Sequence, residues 1–220
     1  MTNCSCIIAG GGSASRFGGG NKLLEVIDGV PVFIRSLRNM SVADQLILVI
    51  PAAERGRFEE ALARFAPELT VKIACGGATR GESVRNGLAL VQGDSEFVAV
   101  HDAARPLAGG ELLLQLLGAL TAEVDGVIPA KRVTDTIKEV GESGIIVATP
   151  RRDRLIAVET PQVFRTVALR EAYHRCGAME FTDDSAVMEM AGFKIRWLEN
   201  AEPNLKITFQ GDLKSAERHK

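Results

Sequence analysis

The sequence lacks the features that would direct a protein to a membrane, to secretion or to nucleic acid. Its 220 residues contain no uncharged apolar run close to the ~18 residues that a membrane-spanning helix needs. The N-terminus lacks the basic segment followed by a long apolar stretch that marks a signal peptide. The formal net charge is −2, whereas nucleic-acid binding normally needs a basic surface. We therefore expect a cytoplasmic protein that binds neither membranes nor nucleic acid.

Cysteine is also scarce, and its spacing excludes the common zinc and redox motifs. The four cysteines are Cys4, Cys6, Cys75 and Cys176, and none of them form a C-x-x-C pair. Cys4 and Cys6 lie two residues apart on a predicted strand, so both side chains would point to one face. We expect all four to be small buried hydrophobic residues in a reducing compartment.

Glycine, by contrast, is concentrated near the N-terminus in IIAGGGSASRFGGGNKLL, residues 7–24. Such a loop after a buried strand can direct backbone N–H groups at a phosphate. Two familiar phosphate-binding motifs are absent, however. Read from Gly10, the G-x-G-x-x-G fingerprint places Ser15 at its last glycine, and Lys22 lacks the flanking Gly and Ser/Thr of a Walker loop. The segment therefore predicts a phosphate site of another kind, with Arg16 and Lys22 as its cations.

Apolar runs of strand length alternate with helical patterns along the chain. The predicted strands are Cys4–Ala9, Gln45–Ile50, Val71–Cys75, Phe97–Val100, Gly126–Ala130 and Lys194–Leu198. The predicted helices are Pro31–Met40, Ala53–Phe65, Gly81–Val91, Glu111–Ala122, Val167–Cys176, Asp183–Ala191 and one beginning at Gly211. This alternation predicts an α/β fold, with a mostly parallel sheet covered by helices on both faces.

Residues that could bind a ligand or take part in a reaction follow the carboxyl ends of the predicted strands, where ligands bind in such folds. Segments 76–83 and 101–106 follow the third and fourth strands. Asp102 could hold Mg²⁺, which takes oxygen ligands and bridges to phosphates, or it could cap the following turn. Arg105 could bind a phosphate with two hydrogen bonds. We expect His101 to orient its neighbours, because no Ser or Cys nucleophile motif accompanies it.

The alternation breaks near Val133, where VTDTIKEVGESGIIVATP predicts a two-stranded hairpin. An isolated hairpin is marginal in water, so we expect it to pack on the main body or on another subunit. Further cations follow in TPRRDRL and in NLKIT, which carries Lys206. Each alone would be an ordinary surface charge. Together, with a net charge near zero, they are typical of a site for two phosphorylated molecules.

Read together, these motifs resemble the family of 2-C-methyl-D-erythritol 4-phosphate cytidylyltransferases. The segments that carry the resemblance, in chain order, are IIAGGGSASRFGGGNKLL, GGATRGESVRNGL, VHDAARP, DTIK, ETPQVF, TDDSAVME and NLKIT. The resemblance implies one cytidylyltransferase domain over residues 1–220, built as a three-layer α/β sandwich. Its mostly parallel sheet would be Rossmann-like and nucleotide-binding, with a protruding β-arm at about residues 132–152 that forms a homodimer.

The family's activity is the transfer of CMP from CTP to 2-C-methyl-D-erythritol 4-phosphate, with release of pyrophosphate, in the non-mevalonate isoprenoid pathway. The resemblance implies that CTP contacts Gly10, Gly11, Gly12, Gly77, Ser83 and Ala103, and that Asp102 holds Mg²⁺. Arg16 and Lys22 would stabilise charge on the triphosphate. The acceptor would be positioned by Arg152 and Lys206, with Arg105, Thr136, Thr160 and Thr182. Because the attacking phosphate oxygen is already anionic, positioning and charge neutralisation suffice without a general base.

The sequence departs from the family pattern in the loops. Gly10 and Gly11 stand where the family usually has alanine, and Ala14 where it has glycine. Asn21 replaces a usual proline, and Ala78 stands where an acidic or polar residue is common. None of these departures removes a charged participant.

Three other functions stay open at this point. A ribitol 5-phosphate cytidylyltransferase shares the glycine loop and the HDA-RP segment, although Ala104 stands where that group tends to carry valine. A binding module without turnover is disfavoured, since the cations and Asp102 occur together. A nicotinamide oxidoreductase is disfavoured by the absent fingerprint.

Overall fold

A computed structural model describes residues 2–11, 17 and 19–218 of the chain. The strands are β1 (Cys4–Ala9), β2 (Val26–Ile27), β3 (Val30–Pro31), β4 (Gln45–Ile50), β5 (Val71–Cys75), β6 (Phe97–Asp102), β7 (Gly126–Arg132), β8 (Glu139–Val140), β9 (Ile146–Ala148), β10 (Ile156–Val158), β11 (Gln162–Arg165) and β12 (Ile195–Glu199). The helices are α1 (Val32–Asn39), α2 (Arg55–Phe65), α3 (Arg80–Leu88), α4 (Gly110–Ala119), α5 (Thr166–Cys176), α6 (Asp184–Met190) and α7 (Gln210–Glu217).

The central sheet has eight strands, seven of which follow the order β10-β7-β11-β6-β1-β4-β5, while β12 pairs with β7. The pairs β1–β4, β1–β6, β4–β5 and β7–β12 are parallel. The short strands β10 and β11 are antiparallel to their neighbours, and neither was predicted. The expected mostly parallel sheet is confirmed, and the antiparallel β11 joins its two parallel parts.

Two hydrophobic layers enclose the sheet and confirm the three-layer sandwich. One contains buried residues of α1, α2, α4 and α7, such as Phe33, Phe58 and Leu113. The other contains residues of α3, α5 and α6, such as Val84 and Leu169. Every residue of β4 is buried, as expected for a parallel strand covered on both faces. Among the described residues, the helices include none that is both long and apolar enough to cross a membrane.

Most predicted elements lie within a few residues of their observed bounds, and two differences have local causes. Pro31 ends β3 and caps α1 instead of starting the helix. α3 ends at Leu88, three residues before the predicted end at Val91. The N–H groups of Leu90 and Val91 instead bond to carbonyls three residues back, as in a turn.

The expectation for the cysteines is correct for three of the four. Cys4, Cys6 and Cys176 are buried, whereas Cys75 is exposed. Burial raises the pKa of the Cys4 thiol to about 12. Cys75 ends β5, the strand at the edge of the sheet, and an edge strand lacks the neighbour that would cover its last residue.

The predicted hairpin is confirmed, and it pairs in a sheet of its own formed by β8 and β9. The strands are shorter than the predicted arm, and the turn uses Gly144 at a φ of +76°, a backbone conformation that suits glycine. Large apolar side chains on the hairpin are exposed, among them Val140, Ile145, Ile146 and Val147. We call residues 133–151 the arm.

Candidate functional site

A cleft of about 890 Å³ opens at the carboxyl ends of β1 and β6. It gathers nine of the predicted residues, which are Gly10, Gly11, Lys22, Ser83, Asp102, Arg105, Thr160, Thr182 and Lys206. A second cavity of about 530 Å³ beside α4 is lined by none of the predicted residues. The cleft is therefore the candidate site.

The sheet itself brings the glycine-rich segment and Asp102 together. β1 and β6 are parallel neighbours in which Ala9 pairs with Asp102. The N–H of Ala103 then donates to the carbonyl of Ala9 at 3.0 Å. Because both strands end at this point, the segment that begins at Gly10 starts beside the Asp102 carboxylate.

Asp102 pairs with two cations of the cleft. Lys206 Nζ lies 2.7 Å from Asp102 Oδ2, and Arg105 Nε lies 3.5 Å from the same oxygen. Burial alone would raise the pKa of this carboxyl, but Lys206, Arg80 and Arg105 outweigh it and lower the pKa to about 2. Asp102 is therefore ionised at neutral pH and surrounded by excess positive charge.

A buried hydrogen-bond chain beneath the cleft fixes Thr160 and Arg105. The Thr160 hydroxyl accepts from the N–H of Asp102 at 3.0 Å and lies 3.1 Å from His101 Nδ1. His101 Nε2 lies 3.2 Å from the Arg105 carbonyl, which can only accept. Nε2 must therefore carry the proton, and the Thr160 hydroxyl donates to Nδ1. Burial lowers the pKa of His101 to about 4, so the ring is neutral and orients its neighbours, as expected.

Segment 76–83 lies against the first glycines. Gly77 N–H donates to Ser83 Oγ at 3.1 Å, and that hydroxyl donates to the Thr79 carbonyl at 3.0 Å. A Cβ on Gly11 would lie 2.9 Å from Ser83 Oγ, and one on Gly77 would lie 2.3 Å from the Cβ of Glu82. These two positions therefore need glycine because the segments approach so closely.

Lys22 connects the glycine-rich segment by a hydrogen bond to the segment that carries Lys206. Its Nζ donates to the Ile207 carbonyl at 2.7 Å. The preceding Asn21, which departs from the family pattern, accepts from the N–H of Leu23 at 3.0 Å and donates to Glu54. The amide of Asn21 thus fixes the turn by hydrogen bonds, where a proline would fix it by its ring.

The remaining predicted residues do not line the cleft of this chain, or lie outside the described residues. Ala103 is fully buried, and its carbonyl accepts from Ser36 Oγ at 2.9 Å. Thr136 is exposed in the arm, and Arg152, directly after it, donates to the Thr134 carbonyl at 2.6 Å. Gly77 does not line the cleft itself but donates to Ser83, which does. The last two, Gly12 and Arg16, lie outside the described part of the chain.

The structure adds residues to the site that the sequence interpretation did not include. Arg80 lines the cleft and pairs with Asp184, which is fully buried and lies 104 residues further along the chain. Glu159 also lines the cleft and accepts from Asn200 at 2.7 Å and Asn204 at 3.2 Å. Both Arg80 and Glu159 fall within quoted motifs, but their partners become neighbours only in the fold.

The donors in the cleft fit a divalent cation that is shared with a substrate. Within residues 2–11, 17 and 19–218, no group of three or more His, Cys, Asp or Glu side chains could hold a metal ion. Asp102 offers a carboxylate beside the start of the glycine-rich segment. Mg²⁺ commonly binds through one or two carboxylates and completes its coordination with water and substrate phosphates.

Comparison with known proteins places these features in one family. A family model for 2-C-methyl-D-erythritol 4-phosphate cytidylyltransferase matches residues 4–219. An enzyme of that name from Bacillus mycoides is 39% identical over 218 residues, covering 96% of this chain and 95% of the relative. One from Symbiobacterium thermophilum is 39% identical over 216 residues, covering 97% and 91%. The crystal structure of 4-diphosphocytidyl-2C-methyl-D-erythritol synthase from Anaerococcus prevotii superposes with a TM-score of 0.83 at 28% identity, covering 98% and 96%. The similarity therefore includes the cleft and the arm.

Proposed function

This chain belongs to the 2-C-methyl-D-erythritol 4-phosphate cytidylyltransferase family, and from that premise we propose how its cleft carries out the reaction. The enzyme transfers CMP from CTP to 2-C-methyl-D-erythritol 4-phosphate and releases pyrophosphate, a step of isoprenoid biosynthesis. One observation supports the assignment of the site above all others. The ionised Asp102 and its cations lie directly beside the glycine-rich segment.

CTP binds along the glycine-rich segment and segment 76–83. Gly10 and Gly11 approach the nucleotide through their backbone, where a side chain would intervene, and Gly12 is also assigned to CTP binding. Gly77 and Ser83 form the base side of the site, and the buried Ala103 supports it through the hydrogen bond of its N–H to the carbonyl of Ala9. Arg16 and Lys22 stabilise the charge that develops on the triphosphate during transfer, as preorganised cations do in other phosphoryl-transfer sites.

Asp102 holds the divalent cation, which we propose is Mg²⁺. When bound, the ion neutralises charge on the nucleotide phosphates. The nearby Lys206 pairs with Asp102 at 2.7 Å, so the carboxylate and the ammonium each offset the other's charge before ligands bind.

The acceptor binds between Lys206 and Thr160. Lys206 and Arg105 supply positive charge for its phosphate, while Thr160 and Thr182 supply hydroxyl groups. The acceptor phosphate oxygen attacks the α-phosphorus of CTP, and the bond to pyrophosphate breaks. Positioning two polyanions side by side is the main requirement of this step.

We propose that the arm joins two copies of the chain, and that Arg152 and Thr136 serve the partner's cleft. The exposed Val140, Ile145 and Val147 supply an apolar surface of the kind that a second copy would cover. The substrate CTP and the unpaired state of all four cysteines support a cytoplasmic location.

Release of pyrophosphate tests the function directly. Purified protein is incubated with CTP and Mg²⁺ together with either methylerythritol phosphate or ribitol 5-phosphate, and the products are quantified. We expect release with methylerythritol phosphate alone. Release with ribitol 5-phosphate alone would move the chain to the related activity, and CTP binding without release from either would indicate a binding module.

A further inference from the structure

Arg80 is a cation of the cleft to which the mechanism above gives no role. It is the first residue of α3, and about 28% of its side chain is exposed. Its NH2 group donates to the carboxylate of Asp184. In the part of the chain that the structure describes, this is the one hydrogen bond of the Arg80 side chain. The Nε–H and NH1 donors therefore remain for a ligand.

A buried anchor holds this guanidinium in place. Asp184 is fully buried in α6, and the hydroxyl of Tyr173 donates to its Oδ1 at 2.6 Å. A buried carboxylate is costly unless it is paired and hydrogen-bonded, and here Arg80 and Tyr173 fulfil both conditions. Burial acts to lower the pKa of Arg80, but Asp184 outweighs it and raises the pKa above its usual value.

Arg80 also lies between the two proposed substrate sites. It follows Thr79, whose side chain caps α3 next to Ser83 of the nucleotide site. Its partner Asp184 is two residues from Thr182 of the acceptor site. Arg80 lines the same cleft as Asp102 and Arg105. The guanidinium is thus a fixed positive charge between the proposed nucleotide and acceptor sites.

We propose that Arg80 binds a phosphate group of the substrates through the guanidinium N–H groups that Asp184 does not occupy, with Asp184 and Tyr173 as the positioning residues that orient it. The planar fork of arginine matches two phosphate oxygens, whereas a lysine offers one point charge. The identity of the ligand rests on the proposed function, and the phosphate belongs either to CTP or to methylerythritol phosphate.

The first test compares Arg80→Gln and Arg80→Lys with the parent protein. We expect Arg80→Gln to lower kcat/KM roughly 10²-fold, with Arg80→Lys intermediate. An increased dissociation constant for CTP, measured by calorimetry, would assign the contact to the nucleotide. An increased KM for methylerythritol phosphate at unchanged CTP affinity would assign it to the acceptor. Arg196→Gln, which breaks an exposed pair with Glu123 outside the cleft, is the matched control.

The anchor is tested by Tyr173→Phe, which removes one hydroxyl and keeps the ring. We expect a several-fold weakening of the same ligand that Arg80→Gln affects, and the Arg80→Gln/Tyr173→Phe double variant should lose less than the sum of the two effects. A lower melting temperature with unchanged kinetic constants would contradict the positioning role. Should Arg80→Gln not fold, Arg80→Lys and Tyr173→Phe decide the question by the same criteria.

Two outcomes separate this inference from the proposed function. If the parent is active and Arg80→Gln changes kcat, KM and CTP affinity by less than twofold, the inference is wrong and the function stands. If the parent releases no pyrophosphate, the proposed function fails. Inorganic pyrophosphate then serves as the probe, with weaker binding to Arg80→Gln supporting the phosphate contact and equal binding overturning it.

Discussion

The cleft and the arm differ in how far their side chains are paired or covered within the chain. In the cleft, Asp102 contacts Lys206 and Arg105, and the buried Asp184 contacts Arg80 and Tyr173. The arm has short strands and exposes Ile145 and Val147. The cleft is thus organised before any ligand arrives, because ion pairs and hydrogen bonds within the chain hold its charged side chains in place. The arm leaves its apolar surface in water, which favours a role in assembly.

The largest effect should come from breaking the cleft chemistry at Lys206. We expect Lys206→Ala to lower kcat/KM by roughly 10²–10³-fold, because it removes the cation that pairs with Asp102 and that we propose binds the acceptor phosphate. CTP affinity should stay within about twofold of the parent, as steady-state kinetics and calorimetry would reveal. Lys214→Ala, on the exposed face of α7, is the control. An equal loss of CTP affinity would contradict the role assigned to Lys206.

The buried residues beneath the cleft should make the free energy of unfolding depend on pH, an effect that we do not expect from the arm. The pKa of His101 is about 4 in the folded chain, against an ordinary value of 6.5. Between these values the unfolded chain binds the extra proton, so stability is highest above pH 6.5 and falls as the pH approaches 4. Between pH 8 and 4.5 the loss from this residue should be about 2–3 kcal/mol.

Urea unfolding of His101→Gln at the two pH values checks this prediction. The variant should lose the part of the pH dependence between 4 and 6.5, whatever its stability at pH 8. His174→Gln, which removes an exposed histidine on α5, should keep the parent's slope. The same slope in the parent and in His101→Gln would show that His101 does not titrate in this window.

A charged residue in the arm should break assembly and leave the cleft in place. We expect Ile145→Asp to weaken the proposed homodimer at least tenfold, because an aspartate there replaces apolar surface that the partner would cover. Sedimentation velocity at several concentrations measures this. Met179→Asp alters a similarly exposed apolar residue outside the arm and should have no effect. Unchanged association with Ile145→Asp would remove the arm from the interface.

The smallest effect should come from a pair of glycines in the same cleft segment. A Cβ on Gly77 would lie 2.3 Å from the Cβ of Glu82, whereas one on Gly81 would have its nearest neighbour at 3.7 Å. Gly77→Ala should therefore lower the free energy of unfolding by about 1–3 kcal/mol and weaken CTP binding. Gly81→Ala, in the first turn of α3, should raise stability by about 0.4–1 kcal/mol. Equal effects in thermal unfolding and calorimetry would argue against the close approach.

The strands of the central sheet that sequence reasoning identified share one property: each pairs in parallel with another of them. β1, β4 and β5 have the predicted bounds. In β1 and β4 the apolar runs reflect burial on both faces, which is typical of parallel strands. The antiparallel β10 and β11 have only three and four residues. Runs so short carry too little periodicity to separate strand from loop, so their places were decided by pairing with β7 and β6.

The residues of the candidate site also fall into two groups, those that could be placed from the sequence and those that only the fold brings together. Asp102 and the first glycines could be placed at one edge from the sequence, because parallel strands end together. The partner of Arg80 could not, since Asp184 lies 104 residues away and only the packing of α6 against α5 brings Tyr173 and Asp184 together. Likewise, nothing local distinguishes the exposed Cys75 from the buried Cys4.

The sequence by itself determined the α/β class, the motifs and the family of this protein, because apolar periodicity and motif spacing are local properties. Only the tertiary structure decided which charges meet. Lys206 reaches Asp102, His101 becomes a buried neutral ring, and Arg80 rests on Asp184. Ion pairs and pKa values depend on distance and burial, and those are set when segments far apart in the chain pack together.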